Sequence, residues 1–153
     1  MIIEDKFWEF VDRVNWQSYI GFNGRLNFDK LFLENTAPFY SFDECISFKQ
    51  IYESLYDSFY LKFKSTWLSD EYDFMPSDDG YTDLISSIVG KGKTFCDNIT
   101  EDDFIKMAQN HDYRENFGYI FHRLDRKELK EEYISIYKQY RRNDKLEEIG
   151  INS

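Results

Sequence analysis

The longest uninterrupted amphipathic stretch of the chain runs from residue 41 to residue 70 and contains neither glycine nor proline. Its apolar residues recur at steps of three or four, which places them on one face of an α-helix: Phe48, Tyr52, Leu55, Phe59, Phe63 and Trp67. Ser41 followed by Glu44 is a capping-box pattern, and Asp43 lies where the helix dipole favours an anion. The pattern predicts one long helix whose aromatic face must be covered by other helices.

Composition favours an all-α fold. The 153 residues include 15 Phe, 12 Tyr and 3 Trp, but only 7 Gly and 2 Pro. A buried aromatic side chain removes about 150–250 Å² from water, so even half of these rings would form a substantial core. Few glycines and prolines disfavour a sandwich or barrel with many tight turns. We therefore predict one domain over residues 1–153, a bundle of about five to seven helices around the long central helix, with a frayed C-terminal end.

Shorter periodic segments predict the other helices. Ser77 with two acidic residues after it, and Thr100 with Asp103, are helix start signals, while Gly90 and Gly92 are stop signals. The segment 113–124 is ambiguous because Gly118 weakens its helical pattern. The predicted helices span residues 4–16, 28–34, 77–90, 100–109 and from 125 onwards, where Tyr residues recur on one face.

Several short motifs fail as metal or nucleotide sites. Residues 90–94, Gly-Lys-Gly-Lys-Thr, resemble the end of a phosphate-binding loop, but Ser87 stands where that loop needs glycine. The pair Asp78–Asp79 lacks the alternating oxygen ligands of a calcium loop and suits a helix N-terminus better. Cys45 and Cys96 are too few for a disulfide framework or a zinc site and are expected to be small core residues. We predict no metal site and no cofactor.

The chain offers no recognisable catalytic constellation. Its two histidines are His111 and His122. His122 lies in an apolar-flanked helical segment, which predicts a core or boundary position, and His111 follows a helix end, which predicts capping or exposure. Neither has a serine or cysteine in a nucleophile setting such as Gly-x-Ser-x-Gly. We name no catalytic residue.

The charge balance limits the partners. The net charge is −10, with 29 acidic against 19 basic residues. This opposes sequence-independent binding of nucleic acid, where phosphate neutralisation supplies the affinity. Residues 70–103 carry ten acids against Lys91 and Lys93, a local charge of about −8. Such a zone suits solubility alone or a basic protein partner. The chain shows neither a signal peptide nor a membrane-spanning apolar run, so we expect a cytoplasmic location.

Three features together resemble a known family. They are the opening Lys-Phe-Trp-Glu-Phe-Val of residues 6–11, the aromatic helix from Ile46 to Trp67, and Ser-Asp-Asp-Gly-Tyr at 77–81 leading to Gly92. They are similar to the bacterial helical family catalogued as domain of unknown function 4240. The chain departs from it in the short helix, where Leu84–Ile85 and residues 87–89 replace Phe-Arg and Trp-Leu-Ile. The resemblance implies a bacterial helical protein; the family has no established activity.

The absence of a recognisable catalytic constellation and the acidic segment at residues 70–103 lead to a functional hypothesis. We expect a non-enzymatic acidic protein that binds a basic protein partner, of the toxin-immunity or inhibitor type. The alternative is a small-molecule or enzymatic site in an aromatic pocket near Asp78 or Asp79, between the long helix and the helix starting after Ser77. A structural or regulatory subunit, indicated by exposed Tyr and Phe residues on the last helix, is a third possibility. The residues expected to bind the partner are Glu71, Asp73, Asp78, Asp79 and Asp83.

Overall fold

The computed structural model describes residues 2–14, 25–113 and 116–148, and in these ranges it contains eight helices and no strand. The predicted all-α fold around a long central helix is confirmed. One helix more than expected is present, because the six residues of the fifth helix are too few to show a periodic pattern. The helices are α1 (Ile3–Val14), α2 (Arg25–Thr36), α3 (Phe42–Trp67), α4 (Asp78–Gly90), α5 (Lys93–Asn98), α6 (Glu101–Gln109), α7 (Asn116–Arg123) and α8 (Lys127–Glu148).

Helix α3 begins at the predicted capping box. The Ser41 hydroxyl accepts the Glu44 backbone N–H at 3.1 Å, and the Glu44 carboxylate accepts the Ser41 N–H at 2.9 Å. Burial alone would raise the pKa of Glu44, but its hydrogen bonds with Lys6 and Ser41 outweigh this effect and lower it. The aromatic stripe faces inward against α1, α4, α6 and α8. Its buried members are Phe48, Tyr52, Phe59 and Phe63.

A buried polar cluster attaches α8 to the start of α3. The Tyr133 hydroxyl is fully buried and donates to the backbone carbonyl of Tyr40 at 2.7 Å. Sγ of Cys45 lies 3.0 Å from the same hydroxyl, and burial raises the pKa of this thiol to about 12. Cys45 and Cys96 are both buried, as predicted. Every polar atom in this cluster has a partner, so its role is structural.

The start of α8 differs from the prediction. Asp125 was expected to cap this helix, but α8 starts at Lys127, one residue later than such a cap requires. The backbone N–H of Arg126 donates to the carbonyl of Arg123 at 3.0 Å, which closes a turn before the helix can begin. Asp125 is exposed and forms an ion pair with Lys49 instead. The predicted ends at residues 15–16 and 149–153 lie outside the described residues.

The connection from α3 to α4 is closed by four residues, called here the closed junction: Trp67, Pro76, Gly80 and Tyr81. The rings of Trp67 and Tyr81 stack with centroids 4.2 Å apart and planes 2° from parallel. The indole Nε1–H donates to the carbonyl oxygen of Pro76 at 2.8 Å, and the Tyr81 hydroxyl donates to the carbonyl of Tyr60 at 2.6 Å. Both aromatic polar groups are therefore satisfied inside the junction.

The same junction explains the Ser-Asp-Asp-Gly-Tyr turn. The Ser77 hydroxyl caps α4 by accepting the Gly80 N–H at 3.4 Å. A Cβ added at Gly80 would lie 2.6 Å from Cβ of Pro76, closer than real side chains approach, so glycine is required there. The serine, the glycine and the tyrosine of this turn are thus structural residues, while its two aspartates remain exposed.

Candidate functional site

A cleft of about 610 Å³ opens between α3, α4 and α7. This volume lies within the range of about 300–1,000 Å³ that is typical of ligand pockets. Five lining residues come from α3, three from α4 and three from α7: Lys49, Tyr52, Glu53, Tyr56, Asp57, Thr82, Asp83, Ser86, Gly118, Phe121 and His122. The cleft thus combines aromatic rings with several carboxylates.

The floor of the cleft is buried and rigidly held. The Tyr52 hydroxyl donates to Oγ of Ser86 at 2.9 Å, which links α3 to α4. The Tyr52 ring stacks on Phe121 of α7, with centroids 4.8 Å apart and planes 22° from parallel. Burial raises the pKa of Tyr52 to about 12, so this hydroxyl keeps its proton at neutral pH.

Gly118 allows α7 to approach this floor. A Cβ built on Gly118 would lie 2.9 Å from Oη of Tyr52 and 3.2 Å from Oγ of Ser86. Any larger residue would push α7 away from the bond between these two hydroxyls. The glycine that weakened the helical pattern of this segment is therefore required by packing, and the segment is helical from Asn116 to Arg123.

Carboxylates from two helices converge on the cleft. Glu53 and Asp57 lie one turn apart on α3, and Asp83 faces them from α4. The pKa values of the two tyrosines in the cleft reflect how close these carboxylates are. Burial raises the pKa of Tyr56, and the negative charges of Asp57 and Asp83 raise it further. Burial likewise raises the pKa of Tyr52, and the negative charges of Asp83 and Glu53 raise this pKa further.

The cleft is negatively charged overall. Lys49 is the only lysine or arginine among the described lining residues. Its Nζ lies 3.6 Å from the carboxylate of Asp125, outside the cleft lining. No lysine or arginine whose side chain the structure describes lies within ion-pair distance of Glu53 or Asp57. These two exposed carboxylates are available to a cation from outside the protein.

His122 is exposed and lines the cleft, so its predicted core or boundary position is wrong. The reason lies in its neighbours on α7. Phe121 is buried against Tyr52, and Arg123 is buried in an ion pair with Asp29 of α2. The position between them therefore faces the opening. Ser86 accepts the hydrogen bond of Tyr52, and no described hydrogen bond joins it to His122. His111 is exposed after α6, as predicted.

Only one of the predicted partner-binding residues lines the cleft. Glu71 and Asp73 are exposed in the loop between α3 and α4, and Asp78 and Asp79 are exposed in the first turn of α4. Asp83 is half-buried in the cleft wall. Because residues four apart share a helix face, Asp79 lies on the same face of α4 as Asp83. We call these five carboxylates, Glu71, Asp73, Asp78, Asp79 and Asp83, the acidic surface.

Sequence reasoning missed Glu53 and Asp57. A signal was present, because each directly follows a tyrosine, Tyr52 or Tyr56, and the two are four residues apart on α3. What the pattern did not reveal is that α7 stops short of covering them. That arrangement depends on Phe121 and Gly118 docking onto Tyr52, a contact between residues far apart in the chain.

The described residues hold no group of three or more His, Cys, Asp or Glu placed to bind a metal ion. Among them, too, no helix is both long enough and apolar enough to cross a membrane. A scan against protein-family models, a search of curated proteins and a search of solved structures each found no match for this chain. The resemblance to domain of unknown function 4240 therefore stays a prediction.

Proposed function

We propose that this protein acts by binding a basic protein partner through the acidic surface and the adjoining cleft, as an inhibitor or toxin-immunity protein does. The observation that carries the proposal is the convergence of carboxylates from α3 and α4 on one opening, continued along α4 by Asp79. Clustered carboxylates steer a basic partner during encounter and reject acidic ones. The net charge of −10 acts in the same direction.

A second candidate is a small-molecule site in the same cleft. Its volume of about 610 Å³ and the stacked rings of Tyr52 and Phe121 favour this candidate. The polar groups of such a site would be Glu53, Asp57 and Asp83 rather than the aspartates of the first turn of α4. A small-molecule site predicts that binding is indifferent to Asp78 and Asp79, which do not line the cleft.

Affinity capture with matched variants tests the proposal. The immobilised protein is exposed to lysate of the source organism at low salt, washed at rising salt, and the retained proteins are identified by mass. The test variant is D78N/D79N/D83N. The control is E128Q/E131Q/E132Q on α8, which removes the same charge from exposed positions away from the cleft.

The expected result is one basic protein that is retained by the native protein and by the control, released by high salt, and lost from the test variant. Equal retention by the test variant and the native protein would exclude the acidic surface as the binding site. Retention of no basic protein at any salt concentration would contradict the proposed function itself.

A further inference from the structure

We infer that the cleft between α3, α4 and α7 is a pocket for a guanidinium group, into which the basic partner inserts an arginine side chain. This inference rests on the proposed function and names the part of the partner that the cleft recognises. It is carried by three features that meet in one place: carboxylates on opposing walls, an aromatic floor, and a threonine hydroxyl that can only accept hydrogen bonds.

Charge is the first feature. Glu53 and Asp57 on one wall face Asp83 on the other, and the single lining lysine is ion-paired with Asp125. A planar guanidinium can bind carboxylates in two directions at once, whereas an ammonium acts as a point charge. Carboxylates on two helices therefore suit arginine better than lysine.

The aromatic floor is the second feature. The Tyr52 and Tyr56 rings lie side by side with centroids 6.0 Å apart, and both residues line the cleft. The face of a tyrosine ring attracts a cation, and a guanidinium also stacks on it through its flat surface. Because Tyr52 is held by Phe121 and Ser86, the floor is ordered before any ligand arrives.

A threonine hydroxyl is the third feature. Thr82 uses its proton in a bond of 2.7 Å to the backbone carbonyl of Asp79. Its oxygen therefore presents only lone pairs to a ligand. A guanidinium carries five N–H donors and no acceptor, so it complements such a lining.

The test uses three capped amino acids as probes: N-acetyl-arginine amide, the matching lysine derivative, and the matching citrulline derivative, whose neutral urea has the shape of a guanidinium. Binding is measured by NMR titration at low salt against the native protein. The cleft variant is E53Q/D57N, and the control is E101Q/D102N, which removes the same charge from exposed positions on α6.

We expect saturable binding of the arginine probe, weakened about tenfold in E53Q/D57N and unchanged in the control. The lysine probe should bind more weakly and the citrulline probe should not bind. Equal binding of the citrulline or the lysine probe would overturn the guanidinium assignment. So would undiminished binding of the arginine probe by E53Q/D57N.

The same variant separates this inference from the proposed function. A captured partner that is lost from D78N/D79N/D83N but retained fully by E53Q/D57N would leave the proposed function standing and overturn the role of the cleft. If capture finds no basic partner, the proposed function fails, whereas a tenfold loss of arginine-probe affinity in E53Q/D57N still supports the guanidinium chemistry of the cleft.

Discussion

The α3–α4 interface is built in two different ways along its length. Near the connecting loop, the closed junction stacks Trp67 on Tyr81 and satisfies the polar groups of both rings with backbone carbonyls. About four turns away along α3, Tyr52 also bonds across to Ser86 of α4, but beside this bond the helices leave an open cleft. The same pair of helices is thus sealed at one end and open at the other.

The closed junction contributes to the stability of the fold, whereas the cleft is suited to binding. At the closed junction, aromatic area is buried and hydrogen bonds are completed internally, so the contacts stabilise the fold. In the cleft, Glu53 and Asp57 face solvent without a described cation, an arrangement that contributes little to stability. Substitutions at the two ends should therefore affect different properties of the protein.

The largest effect should come from breaking the closed junction. In W67A the stack on Tyr81 and the hydrogen bond to Pro76 are both lost, and we expect the free energy of unfolding to fall by about 3 kcal/mol. W67F keeps a ring but loses the indole donor, so it should cost clearly less. Urea denaturation followed by circular dichroism measures both. A W67A protein as stable as the native one would show that the junction is not a stabilising element.

A smaller effect is expected where α7 docks on the floor of the cleft. G118A places a Cβ against the hydroxyls of Tyr52 and Ser86, and we expect a loss of about 1–2 kcal/mol even though alanine is the better helix former.

The double variant G118A/Y52F is the matched control for G118A. Removal of the Tyr52 hydroxyl relieves the clash, so the cost of G118A should be smaller in the Y52F background than in the native protein. Equal costs in the two backgrounds, measured by the same denaturation assay, would contradict the close approach of α7 to Tyr52.

Loss of the Ser77 cap beside the closed junction should lower the free energy of unfolding only slightly. S77A removes the acceptor for the Gly80 N–H, and since this bond is long at 3.4 Å, we expect a cost of about 0.5–1 kcal/mol. Thermal unfolding measures the change. Binding of the arginine probe should remain as in the native protein, because Ser77 does not line the cleft; weakened probe binding would show that the two ends are coupled.

The smallest effect on stability should come from the cleft itself. E53Q/D57N should change the free energy of unfolding by no more than about 0.5 kcal/mol, because both side chains are exposed and lack a described ion-pair partner. The same variant is expected to lose arginine-probe binding. A stability loss as large as that of W67A would mean that these carboxylates hold the fold together, and the separation between the two ends would then be wrong.

Local patterns were sufficient to predict the helical framework. The Ser41 and Thr100 capping boxes, the Ser77 cap and the aromatic stripe of α3 are all present where the spacing placed them. Each depends on residues within a few turns of one another. The start of α8 was missed, because it depends on a turn that the residues after α7 form before the helix can begin.

The sequence by itself determined that the chain folds into helices, where most of them begin, and that the protein is strongly acidic. These properties follow from helical periodicity, capping and composition, which act over short distances. Only the tertiary structure decided that Glu53, Asp57 and Asp83 meet at one opening, and that His122 faces it. Those positions depend on how closely α7 approaches Tyr52, a contact between residues 66 positions apart, which no local pattern encodes.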